Sequence, residues 1–86
     1  MEVNPRIKMA VIEVVNTQVE SNDPPETGLT LTRLINDGYT PSDAKDLIGC
    51  VVLSEVFDVM KNEEVFDPER YVAALNRLPE IPEDKI

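Results

Sequence analysis

The sequence predicts an all-α protein, a compact four-helix domain with the third helix central. Three observations carry that prediction. A capping residue is followed by proline four times: Asn4-Pro5, Asp23-Pro24, Thr40-Pro41 and Asp67-Pro68. Proline suits the first helical position because its missing N–H has no partner there, and Asn, Asp and Thr side chains accept from the orphan amides of the first turn. Each pair precedes a run with apolar residues at helical spacing. The third run, Thr40 to Asn62, is apolar over more than half its circumference, so it needs covering on several sides.

Residues 4–20 begin with Asn4 as N-cap and Pro5 as first helical residue. The β-branched run Ala10-Val11-Ile12-Glu13-Val14-Val15 favours a strand locally. The stripe Ile7, Val11, Val14, Val15 and Gln18 nevertheless persists beyond one strand length, which decides for helix. Gln18 is a polar residue on that apolar face.

The second helix is expected to start with Asp23 as N-cap, Pro24 and Pro25 in the first turn, and Glu26 at capping-box spacing. It should run to about Asp37 with Thr27, Leu31, Leu34 and Ile35 on one face. Gly28 weakens it by about 1 kcal/mol relative to Ala. Gly38 suits the residue just past its end.

The third helix has Thr40 as N-cap and Asp43 as the acidic partner of a capping box, with Tyr39 packing back on Ala44. At about 100° per residue, Asp43, Asp46, Leu47, Cys50, Ser54, Asp58 and Lys61 share a narrow side. Ala44, Ile48, Gly49, Val51, Val52, Val56, Val59 and Met60 share the wide apolar side. Glu55 lies in the middle of that apolar arc. The fourth helix opens at Asp67 and Pro68; Phe66 should staple onto Tyr71, and Tyr71, Val72, Leu75 and Leu78 should face inward until Pro79 stops it. Residues 1–78 are therefore expected to form a single helical domain and residues 79–86 a flexible tail.

At 86 residues the core is close to the lower size that suffices alone, so association with a second copy, a homodimer, is compatible with the length. Seventeen acidic residues against eight basic give a net charge of −9. That disfavours nucleic acid and anionic membrane surfaces, which need concentrated Lys and Arg. Leu31 to Val56 traces a helix-turn-helix outline, but its recognition position offers Ser42, Asp43 and Asp46 with only Lys45, which phosphate would repel. No segment is apolar enough to span a bilayer. A single cysteine allows no internal disulfide and points to a reducing cytoplasm.

The chain has no histidine, which removes the commonest general base and metal ligand. Cys50 lies mid-helix without a cation to activate it and reads as a packing residue. Zinc, EF-hand, di-iron and phosphate-loop patterns are all missing, so no metal or cofactor is expected. What remains is Glu55 and Gln18 on apolar faces. A buried carboxylate is costly unless paired, and the candidate donors are Gln18, Arg33, Arg6 and Tyr71.

Asn4-Pro5-Arg6, Gln18 with Asn22-Asp23-Pro24-Pro25-Glu26-Thr27, Gly38-Tyr39 with Ala44, Ile48 and Glu55, and Phe66-Asp67 with Arg70-Tyr71 together resemble small uncharacterised prokaryotic helical proteins, a domain of unknown function. The resemblance implies a compact helical domain with no activity to carry over. Arg6, Gln18, Glu26, Thr27 and Glu55 match its polar positions, and with Tyr71 they form the candidate binding network. The expected function is a non-enzymatic cytoplasmic interaction or structural module, presenting an acidic surface or an interhelical groove to another protein or to itself. The alternative is a small ligand-binding protein or enzyme with a polar pocket around Glu55 and Gln18.

Overall fold

The computed structural model describes residues 4–63 and 65–81. It contains four helices: α1 (Pro5–Ser21), α2 (Pro25–Asn36), α3 (Pro41–Asn62) and α4 (Pro68–Arg77). No strand occurs among the described residues. Three of the four proline-marked starts form as expected. Asn4 accepts from the Arg6 amide at 2.8 Å, Thr40 from Asp43 at 3.1 Å, and Asp67 from both Glu69 and Arg70 at 3.0 and 3.2 Å.

The start of α2 differs from expectation. Pro24, not Asp23, is its N-cap, and no side chain caps it. The reason lies in how α1 ends. Asn22 adopts the left-handed conformation (φ 54°), and the Asp23 amide turns back to the Gln18 carbonyl at 3.0 Å while Asn22 reaches Val19. Asp23 thus belongs to the C-terminal motif of α1 and is not placed to cap α2. Gly38 ends α2 as expected, in a left-handed turn at φ 108° where a side chain would be strained. Its amide bonds to Ile35 and the Tyr39 amide to Leu34.

The helices alternate in direction. Lys8 pairs with Asp46 at 3.6 Å near the starts of α1 and α3, so these two run the same way. Thr27 meets Tyr71 and Arg33 meets Leu75 and Leu78, so α2 and α4 run together as well. Arg33 donates to the Leu78 and Leu75 carbonyls at 2.9 and 3.0 Å, satisfying orphan acceptors at the end of α4 rather than Glu55.

Helix α3 packs against all three others, and α2 does so too, whereas the backbones of α1 and α4 stay more than 8 Å apart. The core is aliphatic: Val11 and Val15, Leu34, Ala44, Ile48, Val51 to Leu53, Ala74, Leu75 and Leu78, with Tyr71 the one large ring. Eight consecutive residues of α3, Ile48 to Glu55, are buried, so this stretch is covered all round. The coverage stops there. Val56 (44% exposed), Phe57 and Met60 (72%) face outward, while Ser54 and Asp58, from the side expected to be polar and solvated, are buried. The cause is length and the route of α4. At 22 residues α3 outreaches the 12 and 10 of α2 and α4, and α4 lays its Arg70 over the Glu55–Asp58 flank rather than over Val56 and Met60. Ile7, Val14 and Ile35, expected on inward faces, are likewise exposed by 38–47%. Of the expected tail, Pro79, Glu80 and Ile81 are exposed, and residues 82–86 lie outside the described residues.

Candidate functional site

Because α1 and α4 stand apart, a groove opens between them with the second half of α3 as its floor. Its cavity measures about 330 Å³. Val14 and Gln18 form the α1 wall, Val52, Glu55, Val56, Val59 and Met60 the floor, and Tyr71 of α4 with Phe66 just before that helix the opposite wall. Phe66 is held in place by the predicted staple: its ring lies 5.8 Å from that of Tyr71, tilted by 55°. The ring remains 51% exposed, and Val65 beside it is 85% exposed.

The polar groups at the base of this groove are engaged with one another. The Tyr71 hydroxyl donates to Gln18 Oε1 at 2.7 Å, and the Thr27 hydroxyl donates to the same oxygen at 2.8 Å. The two hydroxyls lie 3.4 Å apart. One carboxamide oxygen on α1 therefore ties in α2 and α4, and this is the bridge across the gap. Burial pushes the Tyr71 phenol above its ordinary range, and the neighbouring Glu55 carboxylate acts the same way. Burial also raises the Cys50 thiol, which leaves it a poor nucleophile at neutral pH.

Glu55 is 6% exposed and is paired with a residue that sequence reasoning missed. Arg70 Nε donates to Oε1 at 2.7 Å and Nη2 to Oε2 at 3.0 Å, a two-pronged pair. Asp58 Oδ2 lies 4.0 Å from the same Nε. A guanidinium between two carboxylates one helical turn apart explains why both tolerate burial. The available signal was the position of Arg70 next to Tyr71, on the flank of α4 that turns toward α3.

The six sequence-selected residues thus divide. Gln18, Thr27 and Tyr71 share a hydrogen-bonded cluster, and Glu55 sits beside it on the groove floor. Arg6 does not join them: it is exposed in the first turn of α1, 12 residues and about 18 Å of helix from Gln18. Glu26 is half-buried and lines a separate shallow hollow with Pro24, Pro68, Glu69 and Val72. The groove residues that sequence reasoning did not select as site residues are the apolar ones, Val14, Val52, Val56, Val59, Met60 and Phe66.

Among the described residues no group of three His, Cys, Asp or Glu side chains could hold a metal ion, and no helix is long and apolar enough to cross a membrane. Fold and site together define a four-helix domain with an apolar interhelical groove over a buried ion pair. Neither known protein families, nor curated proteins, nor solved structures give a match to this chain.

Proposed function

We propose that this protein is a non-enzymatic interaction module that receives an apolar segment of another protein in the groove between α1 and α4. The observation that supports it is the exposed apolar strip of Val14, Val56, Met60 and Phe66 around one cavity. Apolar side chains grouped in this way favour leaving water, and a folded chain whose own helices leave them uncovered favours a partner that covers them. The polar groups beneath are already satisfied: Glu55 by Arg70, and Gln18 Oε1 by two hydroxyls. They shape the floor and are not poised as acid or base. Groove walls made of helices offer no unpaired strand edge, so the mode of recognition is an amphipathic segment laid into the cleft.

A second reading, a small-ligand site, draws support from the volume, which falls in the range of such pockets, and from the Gln18 amide nitrogen as a donor at its wall. Affinity isolation with the wild-type chain and with Val56→Asp separates them. Under the interaction reading a protein retained by the wild type is lost with the variant, while the variant stays folded because Val56 is already half in water. Equal retention by both chains would remove the groove from consideration as a protein site.

A further inference from the structure

We infer that the segment this groove receives is a basic amphipathic helix; the inference rests on the interaction reading above and specifies the partner's charge. The distribution of charge between the two ends of the bundle supports it. Helices α1 and α3 finish, and α2 and α4 begin, at the end where the groove lies. That end carries Glu20, Asp23, Glu26, Glu63, Asp67 and Glu69. Among the described residues the cations there are the exposed Lys61 and the Arg70 that Glu55 holds. At the opposite end Arg6, Lys8, Arg33, Lys45 and Arg77 offset Asp37, Asp43, Asp46 and Glu80. Among the described residues the acidic excess is therefore concentrated at the end of the bundle where the groove lies, although Glu26 and Glu69 line the neighbouring hollow between α2 and α4.

A second copy of this chain would bring the same carboxylates against themselves, which like-charge repulsion disfavours. A helix with Lys and Arg flanking its apolar face gains from both surfaces. Its leucine- or valine-like side chains meet Val14, Val56, Met60 and Phe66, and its cations are drawn to the carboxylates at this end of the bundle, such as Glu20 and Glu63. The floor from Val52 to Met60 spans about 12 Å, which matches two turns of such a helix and anchors at i, i+3 or i+4, and i+7.

The test uses the full chain and three synthetic helical peptides that share one apolar face and differ only in a Lys/Arg, Gln or Glu polar face. Binding is followed by the nuclear magnetic resonance signals of Val14, Val56, Met60 and Phe66, with the molar mass of the peptide-free chain measured beside it. The basic peptide is expected to shift these signals and to bind at least about ten times more tightly than the uncharged one, with the gap shrinking as salt screens those carboxylates. Glu20→Lys with Glu63→Lys should shrink the same gap at low salt, and Val56→Lys should weaken all binding at the groove. If the uncharged peptide binds there as tightly as the basic one, the partner's charge is wrong and the groove reading stands. Shifts confined to the acidic end, unaltered by Val56→Lys, would reduce the basic peptide to surface adhesion and overturn the inference. A peptide-free dimer that already covers these signals would assign the groove to a second copy. A monomer whose groove signals no peptide moves would overturn the groove reading itself.

Discussion

At the scale of single residues, the ion pair beneath the groove governs how the floor is held. Glu55 is buried, but about a third of the Arg70 side chain (34%) remains in water. Removing one partner of a fully buried pair costs about 3–5 kcal/mol, and the partial exposure of Arg70 lowers the expectation for Glu55→Ala to about 2–3 kcal/mol. The double change Glu55→Leu with Arg70→Met should cost less than the single Glu55→Ala change, because no unmatched charge remains. Urea unfolding of the three chains checks this, and a single-variant loss below about 0.5 kcal/mol would mean the pair does not hold the floor. That Glu55 needed a partner was legible from its place in an apolar arc. Which partner was not, because Arg6, Arg33 and Arg70 carry the same chemistry. Only the crossing of α4 over α3 selects among them, and Arg33 is drawn instead to the end of α4.

At the scale of the element, local chemistry set the helix ends and tertiary placement set the exposed faces. Capping depends on a few neighbouring residues, so Asn4, Thr40 and Asp67 could be read directly, and so could Gly38. Asp23 could not, since the turn that closes α1 claims it first. The outward faces of α3 beyond Glu55 depend on where shorter helices stop, which helical periodicity does not encode. Gly28 offers a direct test of the local reading. It lies inside α2, and a Cβ added there would meet nothing within 4 Å. Gly28→Ala should therefore raise stability by about 0.5–1 kcal/mol, visible as a higher urea midpoint. A lower midpoint would mean that the helix around Gly28 is not regular.

At the scale of the whole molecule, two buried acids link folding to alkaline pH. Tyr71 and Cys50 both have folded-state pKa values above their ordinary values of 10.0 and 9.0, in each case chiefly because burial disfavours the anion. Above those ordinary values the unfolded chain has released protons that the folded chain still holds, so stability falls as pH rises. It is fully present below about pH 8.5 and declines through the folded-state values. The urea midpoint should drop as the pH is raised above about 8.5, more steeply for the wild type than for Cys50→Ala. A flat profile would contradict the burial of both groups. The four-helix architecture with α3 central was legible at this scale, because four proline-marked starts delimit the helices and only the third is apolar over most of its circumference. The packing order of the helices was not. Nor was the cleft, since it arises from two helices whose backbones stay apart.

That gap has a mechanical meaning. The backbones of α1 and α4 stay more than 8 Å apart, and the hydrogen bond described between their side chains is that of the Tyr71 phenol to the Gln18 carboxamide. Breaking a contact of that kind costs on the order of 1 kcal/mol. A single bond of that size holds the width of the cleft less firmly than a packed seam would.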